Sequence, residues 1–214
     1  MSAFAVVPVK TLLKSKTRLS HIFTLQERSL FTLAMLEDVL KALKDSEVDE
    51  SIVVGSDSAV EEFAKRNDAM FLRERREGLN QAVCQATELC VEREAAQVLV
   101  LLADVPLVEV KDINQLLRLV REETVAISPS WNGGTNALLQ KPPRIIEPCF
   151  GVESFRRHAA AAQAKQKQTR IYASANIMLD IDSEEDLSRL ANAGKHTASS
   201  QFLSQSGWSR KSRK

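Results

Sequence analysis

Short runs of β-branched and aliphatic residues alternate along the chain with longer stretches whose apolar positions recur every three to four residues. Phe4-Ala5-Val6-Val7-Pro8-Val9 is almost wholly apolar and reads as a first, buried strand. Thr24 with Glu27 forms a capping box, and Leu30, Leu33, Ala34, Leu36, Leu40 and Leu43 follow at helical spacing, which predicts a helix to about Lys44. Ser51-Ile52-Val53-Val54 is a second strand, closed by Gly55. Ser58 with Glu61 opens a short helix to about Asn67, and Ala69 to Leu72 makes a third strand. A helix is predicted from Gly78 to about Glu94, and the Val- and Leu-rich run Gln97 to Ala103 is a central strand.

The alternation continues with a helix over 111–122, a strand from Thr124 to Ser128, a turn at Gly133-Gly134 and a strand from Asn136 to Gln140, ended by Pro142-Pro143. Glu153 to about Lys167 is an Ala- and Gln-rich helix. Arg170 to Ala173 and Ile177 to Ile181 are candidate strands. Asp182 with Glu185 is a third capping box, opening a helix to about Ala193. This pattern predicts an α/β fold, a doubly wound and mostly parallel sheet in one domain over residues 1–194. In such sheets the ligand lies beyond the carboxyl ends of the strands.

Composition sharpens this picture. The 214 residues are 44% hydrophobic and 27% charged, enough for one sizeable domain at roughly 100–200 residues each. Only 7 are glycine, so collagen-like, linker-rich and low-complexity classes are excluded. Residues 195–214 carry five basic residues and no acidic one; subtracting those five from the net +1 leaves −4 on residues 1–194. The body is mildly acidic, which argues against a nucleic-acid-binding domain. The stretch 195–214 is Ser-rich, basic and aperiodic, and is expected to be a disordered tail. Cys84, Cys90 and Cys149 lack C-x-x-C spacing and form neither a disulfide framework nor a zinc site. Met1 to Val9 has no secretory pattern. The longest apolar run, Val98 to Val108, is broken by Asp104 and falls short of the ~20 residues a membrane helix needs. A soluble, cytoplasmic protein with no membrane partner is expected.

The strand ends carry the candidate chemistry. Lys10, Lys14, Lys16 and Arg18 follow the first strand with no acidic residue among them. They form either a phosphate-wrapping segment or a solvated basic loop. Asp104-Val105-Pro106 closes the central strand, and Asp104 either faces a cleft as a ligand of a hard cation such as Mg²⁺ or accepts hydrogen bonds from turn amides. Asn80 opens a helix, as a cap or as a contact to a polar ligand edge. Gly133-Gly134-Thr135 is a hairpin turn or a close approach for a phosphate or carboxylate. Gly151 leaves the amides before Ser154 open to an anion, and His158 lies on the same helix face as Ser154. Asp180 and Asp182 share one side of the last candidate strand, as metal ligands or as a structural pair. There is no G-x-x-x-x-G-K-[ST] and no G-x-S-x-G, and the three histidines lack ligand spacing.

Taken in order, the motifs resemble one family. They are Val7-Pro8-Val9-Lys10 through Lys16-Thr17-Arg18-Leu19-Ser20, Gly78-Leu79-Asn80, Leu101-Leu102-Ala103-Asp104-Val105-Pro106, Gly134-Thr135-Asn136-Ala137-Leu138, Phe150-Gly151 with Ser154-Phe155 and His158, and Leu179-Asp180-Ile181-Asp182 with Glu185-Asp186-Leu187. The set resembles the 2-phospho-L-lactate guanylyltransferases of archaeal deazaflavin coenzyme biosynthesis, whose bacterial relatives use phosphoenolpyruvate, over about residues 3–193. Each motif alone is common; six in one order are specific. The chain departs from the family pattern at Thr11, where proline is common, at Ser130-Trp131-Asn132, where an Asp-Arg pair is common, and at Pro106, where some members carry a second Asp.

The resemblance implies a nucleotide-diphospho-sugar transferase fold of the glycosyltransferase-A type. It implies that GTP and 2-phospho-L-lactate give lactyl-2-diphospho-5′-guanosine and pyrophosphate, with phosphoenolpyruvate or another small phospho-acid as the alternative acceptor. Thr135, Gly151 and Ser154 would hold the phospho-acid. Asp104 would hold Mg²⁺, with Asp180 or Asp182 as a second ligand. Lys10, Lys16 and Arg18 would neutralise the triphosphate, and Asn80 would contact the nucleotide. Related enzymes imply a homodimer. A molybdopterin or sugar-phosphate nucleotidyltransferase would carry glycines in the first loop, and residues 8–20 have none. A non-catalytic nucleotide-binding protein is the remaining class of reading.

Overall fold

The computed structural model describes residues 2–208. One seven-stranded sheet forms its centre, in the order β3-β2-β1-β4-β6-β5-β7. The strands are β1 (Ala3–Pro8), β2 (Glu50–Gly55), β3 (Met70–Arg73), β4 (Gln97–Leu101), β5 (Thr124–Pro129), β6 (Thr135–Lys141) and β7 (Gln168–Ile171). All neighbouring pairs are parallel except those made by β6, which runs antiparallel to β4 and β5. The mostly parallel sheet expected from the alternation is therefore present, with one reversed strand inserted beside β4.

The period-2 pleat sorts the apolar residues of β1 onto two faces. Ala3, Ala5 and Val7 pack with Leu36, Leu40 and Leu43 of α1 (Leu25–Lys44), with α2 (Ser58–Arg66) and with α4 (Val110–Leu119). Phe4 and Val6 pack on the opposite face with Ala82, Val83 and Ala86 of α3 (Leu79–Glu92) and with α5 (Ser154–Ala164). Both faces of the sheet are covered, which is why its central strands read as continuous apolar runs.

The chain leaves β1 toward β2 on one side and returns in β4 on the other. This reversal opens the crevice beyond the carboxyl ends of β1 and β4, at Pro8-Val9-Lys10 and Ala103-Asp104.

Several expectations change. Ile177 to Ile181 is not a strand. Ser174 accepts from the Asn176 amide and starts the single turn α6 (Ala175–Met178), and Asn136 Nδ2 takes the Ile177 carbonyl at 2.7 Å. The last capping box sits one residue later than predicted: Ser183, not Asp182, caps α7 (Glu184–Asn192), in reciprocal bonds with Asp186. Likewise Asp57, not Ser58, caps α2.

Residues 195–208 are not a disordered tail; they contain α8 (Ala198–Gln205). Leu203 and Phe202 join Leu19, Phe23, Phe31, Met35, Leu187 and Leu190 in a third apolar cluster beside the sheet. The buried Asp38 on α1 accepts from the Ala198 and Ser199 amides and the Ser199 hydroxyl, at 2.7, 3.0 and 2.6 Å. The remainder of the expected tail, 209–214, lies outside the described residues.

Candidate active site

The segment after β1 forms two short 3₁₀ turns, Leu12–Lys14 and Thr17–Leu19, pinned inward by buried Leu12 and Leu19. Between them the buried Ser15 is a fixed point. Its hydroxyl donates to the Leu12 carbonyl at 2.7 Å and accepts from Thr32 at 3.0 Å, and its carbonyl accepts from Arg28 Nη1 at 2.8 Å. Helix α1 thus holds the loop in place. Lys16 sits next, in the left-handed region at φ 46, a conformation that a β-carbon disfavours and that persists only where its surroundings impose it.

That backbone turns the Lys16 side chain inward, where it is only 7% exposed. Its Nζ lies 2.7 Å from Asp104 Oδ2 and 2.9 Å from Asp182 Oδ1. Burial works against this ammonium, yet Asp104 and Asp182 together hold its pKa above the ordinary lysine value. Burial alone would raise the Asp182 carboxyl; Lys16, Arg18 and Lys10 pull it below the usual range instead. Asp182 reaches this point because Ser183 does the helix capping and because the Ile181 amide donates to the Asp104 carbonyl at 3.0 Å. Asp104 Oδ1 is buried and has no hydrogen-bond partner among the described residues.

These groups line a cavity of about 280 Å³ with Lys10, Lys14, Arg18 and Leu79 on its wall. Lys10 and Arg18 are exposed. Asp180 is not on that wall: its Oδ1 accepts from Asn136 Nδ2 at 3.3 Å, and burial, reinforced by Asp104 and Asp182, pushes its carboxyl up. A second cavity, about 140 Å³, shares Lys10, Lys14 and Leu79 with the first and is also lined by Glu74, Glu77 and Gly78.

The glycine turn lies next to this site. Leu101 pairs with Ala137 and the Leu102 amide donates to the Asn136 carbonyl, so continuing the register sets Thr135 beside Ala103. Ser130 Oγ accepts from the Gly134 amide at 2.9 Å, and a β-carbon at Gly134 would stand 2.8 Å from that oxygen and 3.8 Å from Ser154 Oγ. A side chain at this position would press on the Ser130 hydroxyl, so the turn needs glycine.

Thr135 Oγ1 lies 2.9 Å from Nδ1 of His158, and the Cys149 amide donates to His158 Nε2 at 3.0 Å. Nε2 is therefore the acceptor nitrogen and Nδ1 carries the hydrogen of a neutral ring, which donates to Thr135. Burial, with the Arg157 charge, lowers the His158 pKa to about 4. The Thr135 hydroxyl keeps its own hydrogen free to donate. Gly151, at φ +123, and the Ser154 amide close the same loop through a 3.1 Å bond. Asn80 does not present a free carboxamide: its Oδ1 accepts from the Phe150 amide at 2.7 Å and its Nδ2 donates to the Phe150 carbonyl at 3.2 Å. It ties the first turn of α3 to the Phe150-Gly151 loop.

The expected residues thus fall into two adjoining groups. Lys10, Lys16, Arg18, Asp104 and Asp182 surround the larger cavity. Thr135, Gly151 and Ser154 gather around the glycine turn. Asp180 and Asn80 brace the space between through Asn136 and Phe150.

Comparison with known proteins shows the family and the fold. Residues 3–214 match the family described as guanylyl transferase CofC-like. The chain belongs to that family. It is 40% identical over 196 residues to a phosphoenolpyruvate guanylyltransferase of Rubrobacter xylanophilus, covering 91% of this chain and 96% of the relative. It is 34% identical over 203 residues to a 2-phospho-L-lactate guanylyltransferase of Methanocaldococcus jannaschii, covering 94% and 88%. Its fold matches a protein from Desulfovibrio desulfuricans assigned to the nucleotide-diphospho-sugar transferases, with a TM-score of 0.80 at 15% identity, covering 96% and 95% of the two chains. The fold class and the enzyme class expected from the motifs both stand: this is a guanylyltransferase-family enzyme on a nucleotidyltransferase fold.

Sequence reasoning missed the braces of this candidate site. Ser15, Arg28 and Thr32 carry no motif, since two buried hydroxyls and a guanidinium spaced along a loop and a helix leave no periodic signal. His158 was visible as a helix-face histidine, but its bond to Thr135 depends on a long-range contact across 23 residues.

Proposed function

We propose that this protein transfers the guanylyl group of GTP to 2-phospho-L-lactate, giving lactyl-2-diphospho-5′-guanosine and pyrophosphate. A phosphate oxygen of the acceptor attacks the α-phosphorus; the bond from that phosphorus to the bridging oxygen of the β-phosphate breaks, and its electron pair leaves with pyrophosphate. The acceptor phosphate is ionised at neutral pH, since its second pKa is about 6, so the nucleophile needs no general base. The observation that carries this reading is Lys16 buried between Asp104 and Asp182 at a cavity that also bears Lys10 and Arg18. Lys10, Lys16 and Arg18 neutralise the triphosphate as charge moves to the leaving pyrophosphate. The Thr135 hydroxyl, with the Gly151 and Ser154 loop, orients the phospho-acid.

A magnesium ion fits this donor set. Asp104 has one buried oxygen without a partner, and Asp182 converges on the same ammonium. Mg²⁺ uses one or two carboxylates together with substrate phosphates. Asp104 and Asp182 would hold it, and it would supply further charge neutralisation at the phosphates. Asp180, already bonded to Asn136, is left out of this pair, and Asn80 acts as a brace of the acceptor loop.

A panel decides the acceptor. GTP and Mg²⁺ are incubated with 2-phospho-L-lactate or phosphoenolpyruvate, with pyrophosphate and product mass read out. Pyrophosphate release only with an acceptor present is expected; no release with any three-carbon phospho-acid overturns the proposal. Phosphoenolpyruvate is the second reading because the relative at 40% identity is named for it. Resemblance to related enzymes supports a homodimer, tested by sedimentation.

A further inference from the structure

The smaller cavity holds a carboxylate that the reaction above leaves without a task. Glu74 stands on its wall, at the carboxyl end of β3. Its backbone is fixed at three points. The Glu74 amide donates to the Gly55 carbonyl at 2.9 Å, extending the pairing of β2 and β3 by one residue. Gln85 on α3 clamps the peptides on either side: its Nε2 donates to the Arg73 carbonyl at 2.9 Å and its Oε1 accepts from the Arg75 amide at 2.8 Å. None of these bonds uses the Glu74 side chain.

Among the described residues the half-buried Glu74 carboxylate makes no hydrogen bond, and Lys14 acts on it only through space. Glu77 differs. It is exposed and already bonded to Lys14 at 2.6 Å. The remaining wall is largely apolar, with Pro8, Val54, Leu79 and Ala82 available to a flat ring. A largely apolar wall with a few placed polar groups is the usual make-up of a small-molecule subsite.

The two cavities share the wall at Lys10 and Leu79. With the reacting phosphate at Lys16 and Asp104, the base of the nucleotide falls in the smaller one. We infer that Glu74 reads this base, its carboxylate accepting the two donors that guanine offers on one edge, the ring N1–H and the 2-amino group. The inference rests on the guanylyl-transfer reading. A carboxylate is acceptor-only, so it pairs with both guanine donors at once. Adenine turns a lone pair toward it at N1, and the repulsion excludes that base.

Titration calorimetry on the full chain with Mg²⁺ and GTP, ITP or ATP tests this without any acceptor. ITP keeps the N1–H and lacks the 2-amino group. The unaltered protein is expected to bind GTP on the order of tenfold to a hundredfold more tightly than ITP, the cost of one hydrogen bond to a charged group. Glu74→Gln should bring that ratio close to one, because its amide hydrogens then face the guanine donors. Glu77→Gln should keep the ratio, since that carboxylate is spent on Lys14. Should Glu74→Gln unfold, Glu74→Asp shortens the reach, keeps the charge and should still narrow the ratio.

A ratio unchanged in the Glu74 variants overturns the inference, as does equal binding of GTP and ITP, or binding of neither, by the unaltered protein. Selective GTP binding that depends on Glu74, without pyrophosphate release on the acceptor panel, supports the inference and overturns the reaction instead.

Discussion

At the level of single residues, the site is a balance of buried charges, and each removal has a definite sign. Asp104→Asn takes one charge from Lys16 and one oxygen from the proposed Mg²⁺ position, while Asp182 still pairs the ammonium at 2.9 Å. Pyrophosphate release is expected to fall on the order of a hundredfold or more, with the melting temperature changed by only a few degrees; steady-state assay beside calorimetric melting checks both. His158 sets a different limit. Its folded pKa of about 4 lies below the unfolded value of 6.5, so the unfolded chain binds the extra proton as pH falls. Stability is therefore full above pH 6.5 and declines by about 3 kcal/mol as pH falls to about 4. Chemical denaturation at stepped pH should show a steeper decline across this window for the unaltered protein than for His158→Gln; parallel curves would remove the histidine from this account. Lys10, Asp104 and Thr135 were readable as candidates in the sequence because each lies at or close to a strand end, where the topology rule points, and Lys16 and Arg18 because they continue the basic run after the first strand. Whether Asp182 caps a helix or faces the site was not legible. Asp182 with Glu185 and Ser183 with Asp186 fit the same spacing, and only the distant Lys16 separates them.

Among the elements, those with strong period were legible and those set by tertiary contacts were not. The strands β1, β2 and β4 and the helix α1 follow from apolar runs and a capping box. The reversal of β6 was present only as the hairpin reading of Gly133-Gly134, and its pairing with β4 was not legible, because a reversed strand and a parallel one have the same side-chain alternation. The helix α8 was hidden for another reason. Its capping box uses Ser200 where Glu or Gln would give the usual signal, and its apolar content is little more than Phe202 and Leu203. What holds it is Asp38, 160 residues earlier, accepting three hydrogen bonds at its first turn. That helix covers Phe31 and, through the same apolar cluster, Leu19 of the basic loop. Asp38→Ala leaves the Ala198 and Ser199 donors unpaired and should cost about 1.5–3 kcal/mol in urea unfolding. Hydrogen exchange should rise first at Ala198 to Gln205 and next at residues 15–19. A variant with unchanged exchange at both segments would show that the helix is held by its apolar face alone.

For the whole molecule, charge decides how an anionic substrate is held. The whole chain carries only +1, the −4 of residues 1–194 being offset by five basic residues after them, so the long-range field does little to steer a nucleoside triphosphate. Attraction must come from within the crevice, where Lys10, Lys16 and Arg18 face Asp104 and Asp182. Three cations against two carboxylates leave only +1. Lys14 adds little, since Glu77 neutralises it. A triphosphate carries several negative charges, and one net positive charge cannot offset them in a partly buried site. A divalent cation held by Asp104 and Asp182 raises the local balance to +3 without changing the exterior. GTP affinity should therefore depend far more on the metal than on ionic strength. With Mg²⁺ present, raising salt from 0.05 to 0.5 M should weaken GTP binding only several-fold, because the Debye length, about 10 Å at 0.1 M, mainly screens the exterior charges. Removing the metal with a chelator at constant ionic strength should weaken it at least tenfold. Equal affinity with and without the metal, measured by calorimetry, would mean that the cations of the loop alone neutralise the triphosphate and that Asp104 and Asp182 serve only to hold Lys16.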